Sequence, residues 1–225
     1  HVPRKQSGPI QKTMIRPWVL ISGASSGFGE ASARLLAEEG WNLLLTSRRH
    51  ARLNAVAEVC RASGAEVHVA SWDIRNRKET QEGVHALMTE ADIYQNRTGL
   101  TLTALVNNAG LAVGKGPFDA GLDEDWDRMI DTNVKGLLFL ARACVPFMTS
   151  GSRMVNMGSI AGKQVYTGGN VYCASKHAVD ALSQAMRIDL VDRGIGVSQI
   201  CPGAAETEFS TVRFKGDQAA ADDVY

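Results

Sequence analysis

Tyr172 and Lys176 stand four residues apart in a stretch, 172–192, whose apolar residues recur at helical spacing. On a helix that spacing puts both side chains on one face. A free phenol titrates near ~10, too high for efficient proton exchange around neutrality. An ammonium ~4 Å away, at an effective dielectric of ~20, contributes about 4 kcal/mol or roughly three pKa units, with desolvation opposing part of it. The pair can therefore serve as an acid/base if its surroundings cooperate, although the same spacing also describes an ordinary exposed helix pair.

A second constellation binds phosphate. The run Ser22-Gly23-Ala24-Ser25-Ser26-Gly27-Phe28-Gly29 follows an apolar strand and opens a helical stretch. Glycines there permit a sharp turn and bring backbone N–H groups and a helix N-terminus against a pyrophosphate. The next apolar run ends in Ser47-Arg48-Arg49. A carboxylate at this place suits the ribose hydroxyl of NAD, whereas two forked guanidiniums suit the 2′-phosphate of NADP. Asp73, after the third apolar run, either meets the adenine edge or caps the following helix. Neighbouring Ile74 belongs to the same expected cofactor set.

These residues need a scaffold that delivers them to one edge. Short apolar runs at 18–22, 41–46, 66–72, 102–106, 152–157 and 196–201 alternate with helical stretches near 28–39, 51–63, 76–90, 123–149 and 172–192. The runs are apolar on both faces, as in strands covered by helices on each side. Gly40, Gly64 and Gly194 fall where helices end in a left-handed residue. The expectation is an α/β, three-layer, doubly wound Rossmann fold with a mainly parallel sheet. Residues 1–14 read as a flexible N-terminal tail and 15–225 as a single NADP-binding catalytic domain.

Composition narrows the partners. The chain has 225 residues, 24 Lys+Arg against 24 Asp+Glu, and 44% hydrophobic residues. Zero net charge without a basic run argues against nucleic acid and anionic membranes as partners, leaving a small-molecule substrate. No apolar stretch approaches the ~20 residues of a membrane-spanning helix. Cys60, Cys144, Cys173 and Cys201 lie scattered in apolar segments, which suits reduced thiols and a cytoplasmic location. His1, His50, His68, His85 and His177 show no ligand spacing, so no metal is expected.

Further motifs complete an order. Asn107-Asn108-Ala109-Gly110 closes the fourth strand, Asn133 lies in the long helix, Ser159 follows the fifth strand, and Pro202-Gly203 follows the sixth. With the glycine turn and Tyr172-x-x-x-Lys176, this series over residues 16 to about 216 resembles the short-chain dehydrogenase/reductase family. The resemblance implies reversible hydride transfer between NADP(H) and an alcohol or ketone carbon. It implies a catalytic group of Asn133, Ser159, Tyr172 and Lys176. Tyr172 would exchange the hydroxyl proton, helped by Lys176 and a cationic nicotinamide. Ser159 would donate to the substrate oxygen, Lys176 would also bind nicotinamide-ribose hydroxyls, and Asn133 would hold a water of a proton relay. The implied cofactor contacts are Gly23, Ser25, Ser26, Gly27, Phe28 and Gly29 at the pyrophosphate, with Arg48, Arg49, Asp73 and Ile74 at the adenosine end. Asn108, Ala109 and Gly110 would wall the adenosine ribose, and Tyr172, Lys176, Pro202, Gly203 and Thr207 complete the set.

Finer stretches are similar to the branch of NADP-dependent 3-hydroxy acid dehydrogenases acting on L-allo-threonine and serine. They are Gly27-Phe28-Gly29-Glu30, 73–77, 158–162, 168–172 and 207–217. Such substrates carry a carboxylate, for which Arg213 or Lys215 offers a cation in the loop after Pro202-Gly203; otherwise both are solvated lid charges. Reduction of another ketone or an acyl thioester is the alternative chemistry, and a nonenzymatic NADP sensor the alternative class. The sequence departs from the family at Ser22, more often threonine, and at Ala204-Ala205, where a larger aliphatic residue is usual. It ends at Tyr225, where relatives continue through a helix and a strand. A homotetramer is implied, with Leu137, Leu138, Phe139, Leu140 and Phe147 as expected subunit contacts.

Overall fold

Six short strands pair in parallel in the order β3-β2-β1-β4-β5-β6. They are β1 (Trp18–Ser22), β2 (Asn42–Thr46), β3 (Val67–Ala70), β4 (Leu102–Asn107), β5 (Arg153–Met157) and β6 (Gly196–Ile200). The computed structural model describes residues 16–93, 100–205 and 208–216. The tail expected at 1–14 and Thr207 lie outside the described residues.

Side chains alternate across each strand, so neighbouring residues serve opposite layers. Val19, Ile21, Leu43 and Leu45 pack with Ala33, Ala37, Leu53, Val56 and Ala57 from α1 (Gly27–Glu38) and α2 (His50–Ala62). Leu20, Leu44, Leu105 and Met154 pack on the other face. Their partners are Val84, Leu87, Leu140 and Cys144 from α3 (Arg77–Glu90) and α5 (Leu137–Cys144). Each fully buried leucine contributes roughly 1.5–3 kcal/mol relative to leaving it exposed. This is the expected three-layer Rossmann arrangement. Gly40, Gly64 and Gly194 take φ of +84°, +84° and +68° just past their helices, as the sequence predicted.

The strand order reverses between β2-β1 and β4-β5, which opens a crevice at the carboxyl ends of β1 and β4. Every loop carrying the motifs empties there.

Two expectations are corrected. The stretch 123–149 is not one helix: it runs as α4 (Asp123–Ile130), a π-helical turn over Asp131–Gly136, α5, and a 3₁₀ turn over Val145–Phe147 that contains Pro146. The π turn falls where Asn133 is tied to the 111 backbone, and proline supplies no N–H to continue α5. Of the residues expected as subunit contacts, Leu138, Phe139 and Phe147 are half-buried and two are withdrawn from the surface. Leu137 and Leu140 are buried, and Phe147 packs against the core beneath the sheet. The large apolar side chains that do face solvent include Phe118, Leu122, Ile188 and Val191.

Cys60, Cys144 and Cys173 are buried and all four cysteines are free; burial pushes the Cys60 and Cys144 thiols upward. Among the described residues, no cluster of three or more His, Cys, Asp or Glu could hold a metal, and no helix is long and apolar enough to cross a membrane.

Candidate active site

The crevice is a cavity of about 760 Å³ that brings the glycine turn, Arg48, Arg49, Asp73, Ile74, 108–110, Ser159, Tyr172, Lys176, Pro202, Gly203 and Arg213 to one space. Its floor is the turn after β1. Ser22 Oγ accepts from the backbone N–H of Asn108 and of Ala109, both at 3.0 Å, and Asn108 Nδ2 donates back to Ser22 O at 2.9 Å and Gly23 O at 3.3 Å. The two loops at the switch point are thereby joined. Gly23 sits at φ +65°, and a Cβ there would lie 2.9 Å from Asn108 Nδ2. Gly29 does not line the cavity; it is buried behind the turn, where a Cβ would come within 2.6 Å of Asn108 Nδ2 and closer still to Gly23 O. The glycines therefore allow both the turn and its seam to Asn108.

The N-cap residue of α1, Ser26, makes no side-chain capping bond. Backbone donors of the first turn, at Gly27 and Phe28 in the cavity wall, are thus available to an anion. Ser25 and Ser26 instead accept from Arg49: Nε and Nη2 reach Ser25 Oγ at 3.1 Å, and Nη2 reaches Ser26 Oγ at 2.5 Å. Arg48 lines the cavity beside Arg49, and its pKa is lowered chiefly by burial, against the pull of Asp73. Asp73 is held by Arg75, whose backbone N–H and guanidinium both donate to it, and this keeps the carboxyl below its usual range. It does not cap α3. That cap is Asn76, whose Oδ1 accepts from the backbone N–H groups of Lys78 and Glu79. Asp73 and Ile74 remain in the cavity wall with Arg48.

The chemical end is built on α6 (Asn170–Leu190). Tyr172 in its first turn and Lys176 one turn later are 9% and 6% exposed. Lys176 Nζ donates to Met157 O at 2.8 Å, and burial lowers its pKa to about 8. Ser159 lies beside the Tyr172 phenol and acts to lower its pKa. Ser159 Oγ accepts from Ala161 N at 3.1 Å, which fixes the hydroxyl at the start of a 3₁₀ turn over Ile160–Gly162.

The expected lowering of the Tyr172 pKa by Lys176 does not hold here. Burial raises the phenol, and the opposing pull comes from Ser159 and from Arg213. The physical reason is desolvation: the phenol is buried, and this disfavours its charged form more than the neighbouring donor and cation favour it.

Asn133 stands behind the cavity wall. Its Oδ1 accepts from Leu111 N at 2.8 Å, and its Nδ2 donates to Leu111 O at 2.8 Å and Ser175 Oγ at 3.0 Å. The side-chain amide therefore braces the 109–111 strand exit, and its bonds are to protein groups. A Cβ on Gly110 would lie 3.2 Å from Asn133 Oδ1 and 3.6 Å from Lys176 Nζ, so glycine there leaves room for the amine.

The two lid cations part company. Arg213, at the end of α7 (Glu208–Arg213), stacks over Tyr166 at 5.2 Å and over Tyr172 at 5.8 Å, and its Nε is buried without a hydrogen-bond partner. Lys215 is not in this site: its Nζ pairs with Asp125 Oδ2 at 2.7 Å in a separate cleft. Several wall residues were not among the expected site residues, including Tyr166, Glu208 and Arg128. Tyr166 lies under the Arg213 guanidinium, and burial raises its phenol, against the pull of that cation. Glu208 stood inside a motif already noted, whereas Arg128 and Tyr166 carry no spacing signal because loops and α4 deliver them from elsewhere.

A helix N-terminus with open amides, paired guanidiniums at one end and a buried Tyr/Ser/Lys group at the other fit a phosphorylated dinucleotide. Fold and site together define a Rossmann-type, nucleotide-dependent enzyme. The family model described as short chain dehydrogenase matches residues 17–218, and the chain belongs to that family. Among curated proteins, it is 42% identical over 210 residues to sulfoacetaldehyde reductase 2 of Chromohalobacter salexigens, covering 92% of this chain and 80% of that protein. It is equally 42% identical to the NADP-dependent 3-hydroxy acid dehydrogenase YdfG of Salmonella typhimurium, with the same coverage. A solved serine dehydrogenase complexed with NADP+ superposes with a TM-score of 0.82 at 39% identity, covering 92% of this chain and 81% of that one.

Proposed function

We propose that the protein is an NADP-dependent dehydrogenase/reductase that transfers hydride between NADP(H) and the hydroxyl or keto carbon of a small 3-hydroxy acid such as serine or L-allo-threonine. The observation that carries the substrate class is Arg213: a guanidinium with a buried, unpartnered Nε over the Tyr172 ring is a ready site for a substrate carboxylate. A buried donor left unpaired is costly, and a substrate carboxylate would satisfy it. The named relatives support both the cofactor and the 3-hydroxy acid.

Bound in the cavity, the nicotinamide ring supplies or accepts the hydride. Tyr172 gives or takes the hydroxyl proton, and Ser159, beside it in the cavity wall, orients the substrate oxygen. Lys176 sits one turn below for the ribose hydroxyls, with Asn133 bracing the wall opposite. Arg48 and Arg49 take the 2′-phosphate. Gly23, Gly27 and Phe28 wrap the pyrophosphate, Asn108, Ala109 and Gly110 wall the ribose, and Pro202 and Gly203 close the nicotinamide end. A single catalytic domain assembling as a cytoplasmic homotetramer completes the reading, supported by exposed Phe118, Leu122, Ile188 and Val191.

A second reading, reduction of a sulfonated aldehyde, is favoured by the sulfoacetaldehyde reductase likeness, since a sulfonate would use the same arginine. The test is a spectrophotometric screen. NADP+ reduction over L-serine, L-allo-threonine and 3-hydroxypropionate is set against NADPH oxidation by sulfoacetaldehyde and by uncharged ketones. The proposal expects the hydroxy acids to turn over; activity confined to uncharged ketones defeats it, and activity confined to sulfoacetaldehyde selects the second reading.

A further inference from the structure

Glu208, the first residue of α7, is held by arginine on both carboxylate oxygens. Its Oε2 accepts from Arg49 Nη1 at 2.8 Å, and its Oε1 accepts from Arg52 Nη1. Arg49 spends its remaining nitrogens on Ser25 and Ser26, so every guanidinium nitrogen is engaged. Glu208 and Arg49 line the same cavity as the phosphate turn. The arginine that suits the cofactor's 2′-phosphate is therefore already paired with an internal anion.

That pairing is built to be exchanged. The three side chains are about half exposed, at 42% for Arg49, 54% for Arg52 and 46% for Glu208, so solvent and salt weaken the bonds. The two arginines hold the Glu208 carboxyl below its usual range, so it is ionised at neutral pH. A phosphate monoester brings close to two negative charges and three acceptor oxygens to the same guanidiniums, and outcompetes one carboxylate. The other end of α7 is fixed differently. Arg213 O accepts from Gly114 N at 3.0 Å, and Lys215 pairs with Asp125, whose side chain is only 11% exposed. The helix is anchored by these contacts at its C-terminal end; at its N-terminal end Phe209 packs beside the Tyr172 ring, and the ion pairs of Glu208 to Arg49 and Arg52 are weak, exchangeable bonds.

We propose that Glu208 is a cofactor-specificity latch: the 2′-phosphate of NADP(H) takes Arg49 and Arg52 from Glu208, freeing the N-terminal end of the helix that carries Arg213, whereas NAD(H) leaves the latch closed. This rests on Arg49 being the 2′-phosphate ligand. It makes phosphate recognition at one end of the cavity set the position of the substrate-binding arginine at the other.

The experiment uses the full chain and two probes without a nicotinamide ring, adenosine 2′,5′-bisphosphate and adenosine 5′-monophosphate, titrated by calorimetry. Glu208→Gln is expected to tighten the bisphosphate roughly three- to tenfold, the scale of two exposed ion pairs, and to leave the monophosphate unchanged. In the unsubstituted protein, the bisphosphate but not the monophosphate should speed amide exchange over 209–213. Arg49→Ala serves as the control for the underlying assignment and should lose bisphosphate affinity. If Arg49→Ala loses it while Glu208→Gln gains none, or exchange over 209–213 is unmoved, the latch is overturned and the phosphate site stands. If Arg49→Ala binds the bisphosphate like the parent protein, the phosphate site itself falls.

Discussion

The guanidinium of Arg213 lies 5.8 Å from the ring centroid of Tyr172, with a second phenol, Tyr166, 5.2 Å from the same cation. On the proposed function, the charge that would recognise the substrate anion sits on the ring that would move the proton, so binding and chemistry would share one contact. Removing the cation should weaken anionic substrates selectively. Arg213→Ala is expected to raise KM for L-serine roughly ten- to 150-fold, the worth of a hydrogen bond to a charged group, with a smaller change in kcat and none for an uncharged ketone. Arg213→Lys keeps the charge but loses the fork and should fall between. Steady-state kinetics on the paired substrates decides; equal losses on both would separate Arg213 from anion recognition.

Tyr172→Phe keeps the ring against Arg213 and Phe209 but removes the proton. Turnover should drop by about 10²–10⁴, the usual scale for a general acid–base group, while NADPH binding followed by fluorescence stays unchanged. Because burial raises the Tyr172 phenol in the protein alone, the tyrosinate absorbance lost in this variant should appear above the ordinary ~10. A step at or below ~9 in the cofactor-free protein would contradict the described environment.

Lys176 gives a pH signature. Its folded pKa of about 8 lies below the ordinary value near 10.5, so folding disfavours the charged amine. Below pH 8 both states carry the proton and the burial cost is fully present. Between about 8 and 10.5 the unfolded chain binds more protons than the folded one, and stability rises with pH. Lys176→Met lacks this titration. In the absence of cofactor its stability relative to the parent should therefore fall by on the order of 2 kcal/mol from pH 7.5 to pH 10, read by urea unfolding. A difference independent of pH would mean the amine is solvated.

Ser22 joins the two loops of the crevice through one oxygen. Ser22→Ala leaves the backbone N–H groups of Asn108 and Ala109 without their acceptor, at a cost of about 1–3 kcal/mol in stability. NADPH affinity should fall with it, because the turn loses its seam. Ser22→Thr retains the hydroxyl and should behave like the parent in both thermal unfolding and cofactor titration.

Much of this site was legible along the chain because it rests on local rules. The glycine turn was readable from the backbone geometry it must adopt, the Arg48-Arg49 pair from its place after β2, and Tyr172 with Lys176 from helical spacing. What failed depended on three-dimensional company. Asp73 stood open between the adenine edge and a helix cap; the cap is Asn76, which lies nearer the helix start, and Arg75 claims the carboxylate. Arg213 and Lys215 were indistinguishable as neighbouring cations until Asp125, far off in sequence, took Lys215.

The sequence by itself determined the alternation of strands and helices, hence the parallel sheet and the edge at which the loops meet, because period and glycine placement are properties of short segments. Only the tertiary structure decided the electrostatics at that edge. Tyr172 is raised and Lys176 lowered because desolvation depends on everything packed around a group, and spacing along a helix carries none of that. Glu208, 159 residues beyond Arg49, meets it only because the chain folds back across the crevice, and no local pattern could announce that pairing.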